Sequence, residues 1–126
     1  MPIQIKIVEA RQFRRVLKSG RTTPLLFECE DVTIGQKEEY VVKLKGSLDR
    51  RDRGLICELV SSIIARFMGF NTPLIALVNI DTQMASLIDA IPKDKINSSI
   101  GLNFGSKLLT AGTYLNLPND YSLVIF

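Results

Sequence analysis

Two residues in this chain have the types and the setting to do chemistry together. Lys43 lies in the stretch Tyr40 Val41 Val42 Lys43 Leu44 Lys45, whose make-up reads as a β-strand, and Glu58 follows in a segment of helical periodicity. An ammonium held by a carboxylate is a point charge of fixed position, which suits phosphate oxygens. On the strand, Tyr40, Val42 and Leu44 point one way and Val41, Lys43 and Lys45 the other. Taken alone, that pattern more often describes the wet face of an amphipathic strand. Glu58 has Gly54, Ser62 and Ala65 at i−4, i+4 and i+7, a stripe of small residues that would let its carboxylate approach a sheet without crowding. An exposed glutamate with no special partner is the commoner fate of this residue type on helices.

A third candidate is the turn Ser19 Gly20 Arg21 Thr22 Thr23 Pro24. The backbone N–H groups of Gly20, Arg21, Thr22 and Thr23, with the threonine hydroxyls and the charges of Lys18 and Arg21, could line a nest for phosphate oxygens. The turn has neither GxGxxG nor a Walker GKS/T pattern, so by itself a plain hairpin loop is the better account of it.

The elements that must position these residues can be read in order. Ile3 to Val8 alternates as a half-buried strand and continues, with a bulge, through Phe13 and Val16. Strands at Leu25 to Glu30 and Glu38 to Lys45 complete an antiparallel meander joined by turns. From Arg53 to Met68, the apolar residues Ile56, Leu59, Val60, Ile63, Ile64 and Phe67 recur with the period of an amphipathic helix, and Gly69 is placed to end it. Leu74 to Ile80, apolar on both faces, predicts a buried fourth strand. Asp81 can cap a short helix through Ile88, Pro92 can open another turn, and Asn97 to Lys107 reads as a glycine- and serine-rich loop.

The expected class is therefore α+β: an antiparallel sheet, meander plus one buried strand, packed by one long amphipathic helix and followed by short helices and the Gly/Ser loop. The whole of 1–126 is expected to be one domain, with the sheet and main helix in 1–80 and the short helices and loop in 81–126.

Composition narrows the chemistry. The chain has no histidine, which removes Ser/His and Cys/His nucleophilic catalysis and histidine metal sites together. Cys29 and Cys57 read as small hydrophobes and not as a disulfide framework. With 16 Lys+Arg against 13 Asp+Glu the net charge is +3, concentrated at Arg11, Arg14, Arg15, Lys18 and Arg21 and at Arg50, Arg51 and Arg53. Such clusters suit a polyanion or a solvated face, but aromatic residues are only 7% and none forms a stacking platform among these arginines, so a nucleic-acid-binding domain is the weakest reading. No run approaches the roughly 18 apolar residues of a membrane span, and no leader-like segment opens the chain, so a cytoplasmic protein is expected.

The order of the pieces carries more than any one of them. Ser19 Gly20 Arg21 Thr22 Thr23 Pro24 Leu25 Leu26, then Tyr40 Val41 Val42 Lys43, then Cys57 Glu58 Leu59 Val60 with Ile64, Ala65 and Gly69, then Thr72 Pro73 Leu74, and last Gly101 Leu102 Asn103 Phe104 Gly105 Ser106 together resemble the HipA-like kinases over nearly the whole chain. The resemblance implies the nucleotide-binding N-lobe of a Ser/Thr-kinase-like fold: Lys43 on the phosphates of ATP, Glu58 as its partner, and the loop from Gly20 to Thr23 over the phosphates.

There are departures. Arg21 and Thr23 stand where the family often has a second glycine and a glutamine, and the catalytic Asp, Asn and metal-binding Asp of the family's C-lobe have no counterpart, Asp120 standing without such neighbours. The expectation is an N-lobe that binds ATP and does not transfer phosphate alone, Mg²⁺ entering only with a C-lobe supplied on the same or another chain. The alternative is a non-catalytic interaction module that forms a homodimer or docks on a partner, favoured by the apolar Leu123 Val124 Ile125 Phe126 and the loop around Phe104.

Overall fold

Tyr40, Val42 and Leu44 do point together, and what they point into is the inside of a barrel. The computed structural model describes residues 5–17, 23–47 and 52–108. In chain order these form β1 (Ile7–Val16), β2 (Leu25–Asp31), β3 (Gln36–Lys43), a 3₁₀ turn (Lys45–Ser47), α1 (Asp52–Phe67), β4 (Ile75–Ile80), α2 (Thr82–Leu87), α3 (Lys93–Asn97) and β5 (Gly101–Lys107). The strands close in the order β1-β2-β3-β5-β4. Every pairing is antiparallel except the closing one, where β4 runs parallel to β1 with Ile7 opposite Leu77.

The expectation of a sheet packed by one long helix is overturned by this closure. Because β5 fills the place between β3 and β4, and β4 returns to β1, the inner face packs on itself and needs no long helix to cover it. The interior holds Val8, Ala10, Leu25, Phe27, Cys29, Tyr40, Val42, Ala76, Val78 and Ile80, and Met84, Ala85, Ile88, Ile91 and Ile96 of the α2–α3 region complete the same core. Helix α1 lies outside. Its Leu55 and Leu59 pack on Phe104, Ile75 and Leu77, while Ile56, Val60, Ile64 and Phe67 of the expected packing stripe are exposed.

The expected Gly/Ser loop is largely strand β5, and its composition is a packing requirement. Val42 and Ala76 both stand opposite Gly105, Val78 opposite Asn103 and Ile80 opposite Gly101, so the inward positions of β5 are glycine or asparagine. A Cβ on Gly105 would lie 2.5 Å from Val78 Cγ2. A five-stranded barrel this narrow has no room there for an aliphatic side chain, so the strand lacks the alternation that marks strands in a sequence.

Elsewhere local chemistry and structure agree. β1 runs through Phe13 and Val16 over two bulges, between Ala10 and Gln12 and between Phe13 and Arg15, and these allow Val8, Ala10, Phe13 and Val16 all to reach the core. Asp81 caps α2 by accepting from Met84 N–H at 2.7 Å. Gly69, at φ +88°, ends α1 with Phe70 N–H on Ala65 O and Gly69 N–H on Arg66 O, the paired bonds of a Schellman cap. Among the described residues, no helix is long and apolar enough to cross a membrane.

Candidate functional site

Lys43 is the last residue of β3 and faces outward, its backbone opposite Phe104 of β5. Leu55 and Leu59 seat α1 on that same Phe104, and Glu58, one residue before Leu59, is thereby turned to the strand. Lys43 Nζ donates to Glu58 Oε1 at 3.0 Å. Only 9% of Lys43 is exposed, so it is not the wet face of an amphipathic strand. The small residues Gly54, Ser62 and Ala65 beside Glu58 are half-buried, as close approach of the helix demands.

Lys43 does not stand alone on this face. Leu26, Val41 and Ser106 form a cross-strand row, Leu26 opposite Val41 and Val41 opposite Ser106, and all three are buried. The row lies two residues from Lys43 along β3, about 7 Å. The result is a covered row of two aliphatic side chains and a serine with a held cation at one end.

Asn103 fixes the chain leaving this site, and sequence reasoning missed it by reading its stretch as loop. Fully buried, its Oδ1 accepts from Lys45 N–H at 2.9 Å, while Nδ2 donates to the carbonyls of Ser99 and Gly101 at 2.8 and 3.1 Å. Ser99 Oγ, donating to Lys95 O at 2.7 Å, accepts from Gly46 N–H at 3.0 Å. Gly46 is required there, since a Cβ would meet Lys95 O and the Ser98 and Ser99 hydroxyls within 2.4 to 2.7 Å. A lone asparagine between two glycines is the only sequence signal for this latch.

Of the expected phosphate loop, Gly20, Arg21 and Thr22 lie outside the described residues, as do Lys18, Arg50, Arg51, Asp120 and the apolar stretch Leu123 to Phe126. Thr23 is described: it is exposed, with φ of +44°, a left-handed conformation that a β-branched residue before proline adopts only at a cost. Phe104, expected in an exposed association loop, is 4% exposed beneath α1.

Two of the arginines of β1 are engaged by glutamates of β2 and β3. Arg11 Nε pairs with Glu30 at 2.9 Å, and Arg14 with Glu28 at 2.9 Å and Glu39 at 3.8 Å. A second polar group gathers toward the other end of β3, around Lys6, Cys29, Asp31, Glu38 and Tyr40. Burial pushes the Cys29 thiol up to about 12 and the Tyr40 hydroxyl above its ordinary range. Burial works against the Lys6 ammonium, yet contact with Tyr40 and the charges of Glu38 and Asp31 raise it overall. The Thr33 hydroxyl and N–H, both donating to Asp31 Oδ1, hold that carboxyl below its usual range. Among the described residues, no cluster of three or more Cys, Asp or Glu side chains is arranged to hold a metal ion.

Comparison with known proteins adds a family. Neither a search of curated proteins nor one of solved structures found a match. The family model described as HipA-like kinase, however, matches residues 10–122, a span that contains most of β1, all of β2 through β5, Lys43, Glu58 and the Asn103 latch, and the chain belongs to the HipA-like kinase family.

Proposed function

We propose that this domain is the nucleotide-gripping lobe of a Ser/Thr-type HipA-like kinase, with ATP as its ligand. The observation that carries the reading is the Lys43–Glu58 pair at 3.0 Å on the outside of the barrel, with Lys43 buried and Glu58 half-buried. A lysine in that position is a fixed point charge for the α/β-phosphates, and Glu58 sets where the charge sits. The row Leu26, Val41 and Ser106, buried like Lys43, lies one step away on the same face and is assigned to the purine once that face opens. The family resemblance assigns Gly20, Arg21, Thr22 and Thr23 to the phosphates.

Phosphoryl transfer needs, besides positioning, Mg²⁺ and a group to orient the nucleophile. Neither role falls to a residue of this site, since Glu58 is held by Lys43. Those groups belong to a C-lobe, and with it the metal. Lys43 is also deeply covered, so nucleotide entry requires this face to open, and affinity is reduced by the fraction of time it is open.

Calorimetric titration of the chain with ATP tests the reading. Binding in the millimolar range is expected, lost in Lys43→Met while the circular dichroism of the barrel is kept. No heat at millimolar ATP, or equal heats for the two proteins, removes the nucleotide role.

A further inference from the structure

Helix α1 leaves its larger apolar face in solvent. Ile56, Val60, Ile64 and Phe67 are 56, 46, 52 and 83% exposed. At about 100° per residue these four lie within roughly 80° of one another around the helix and run about 16 Å along it. Beyond the Schellman cap the patch continues through Met68, Phe70 and Leu74, at 69, 59 and 49% exposure. Together the seven residues present on the order of 800 Å² of surface, well above the isolated patches of an ordinary monomer and equal to one side of a standard protein interface.

We infer that this face is covered by a second copy of the same chain, with two α1 helices packed antiparallel about a two-fold axis passing between Val60 and Ile64. The inference stands apart from the nucleotide reading, because the Lys43–Glu58 pair occupies the opposite, barrel-facing side of α1. Area is one argument, since the patch alone supplies what a stable symmetric dimer needs. Self-complementarity is the other. Antiparallel pairing sets Val60 against the partner's Ile64 and Ile56 against the partner's Met68, apolar on apolar throughout. Exposed Arg53 lies on the line of the stripe one turn before Ile56, so the same pairing carries it toward the partner's Phe70, where a guanidinium can sit on an aromatic face. The two-fold repeats that contact at the other end. Among the described side chains of α1, no acidic one lies on the stripe to call for a basic partner.

Sedimentation equilibrium of the full chain from low to high micromolar concentration tests this, with Ile64→Glu and, as control, Leu87→Glu on α2, itself 67% exposed. The expected result is a concentration-dependent two-chain mass that Ile64→Glu converts to one chain with unchanged circular dichroism, and that Leu87→Glu leaves intact. Three results overturn it: one-chain mass at every concentration, a two-chain mass that survives Ile64→Glu, or open-ended aggregation in place of a dimer. Should Ile64→Glu fail to fold, Val60→Lys at the neighbouring exposed position gives the same reading.

Discussion

Lys43 Nζ and Glu58 Oε1 meet at 3.0 Å across the joint between the barrel and its outer helix, and the two sides of the pair are unequally covered: 11% of the Lys43 side chain is exposed and 28% of the Glu58 side chain. That inequality decides which partner the fold misses more. A carboxylate left behind at a quarter exposure can hydrate, whereas an ammonium at a tenth depends on its protein partners, of which Glu58 is one.

Removing the carboxylate should therefore cost more than removing the amine. Glu58→Ala is expected to destabilise by about 2 kcal/mol, and Lys43→Met, which keeps the buried stem, by less than about 1 kcal/mol. Urea denaturation of the two single variants and the double variant measures both costs and their coupling. Equal costs for the two single changes would show that the asymmetry of burial does not govern the pair.

Gly105 makes a second, purely steric prediction. An added Cβ would lie 2.5 Å from Val78 Cγ2 inside the barrel, and Val78 is fully buried. Gly105→Ala should cost about 1–3 kcal/mol through overpacking. Val78→Ala alone should also destabilise, but the double variant Gly105→Ala, Val78→Ala should lose less than the sum of the two single losses, because the new methyl fills the space the valine vacates. Strict additivity in a denaturation cycle would mean that the two positions do not share that space.

These two sites also show how far the sequence could be read. Lys43 and Glu58 were legible because strand alternation and helical spacing are local signals, and the order of elements around them is specific. The barrel was not, because closure depends on β5, whose inward residues Gly101, Asn103 and Gly105 carry no apolar alternation. Packing in a narrow barrel dictates small residues there, and small residues read as loop. The face of α1 was misjudged for a related reason. Periodicity marks an apolar stripe without saying what covers it, and here the barrel takes Leu55 and Leu59 and leaves Ile56, Val60 and Ile64 outside. Asn103 was missed because its hydrogen bonds reach Lys45, 58 residues away in the chain.

Thr23 predicts a gain in stability. It holds φ +44° immediately before Pro24, where neither its branched Cβ nor the following ring favours a left-handed backbone. Thr23→Gly removes the clash at some entropic cost in the unfolded chain, leaving a net gain of about 1 kcal/mol. A raised thermal midpoint reports it. If the midpoint falls, the threonine side chain contributes more through its contacts than the backbone loses in strain.

The last prediction concerns alkaline pH. Cys29 has an ordinary value of 9.0 and is pushed to about 12 by burial, Tyr40 is raised for the same first reason, and Lys6 is raised through its neighbours. Each group keeps its proton longer in the folded state than in the unfolded one. Their contribution is thus complete below the unfolded values and is lost as pH rises through the folded ones, beginning near pH 9 with Cys29. Stability should fall from pH 9 upward, with a slope of up to about 1.4 kcal/mol per pH unit for each proton involved. Cys29→Ala begins less stable, because a buried sulfur is lost, but should fall less steeply between pH 8.5 and 10, since it has no thiol to ionise on unfolding. The same burial predicts that iodoacetamide modifies exposed Cys57 in the folded chain and reaches Cys29 only on unfolding. Parallel pH profiles for the two proteins would remove Cys29 as the source of the alkaline loss and leave it to Tyr40 and Lys6.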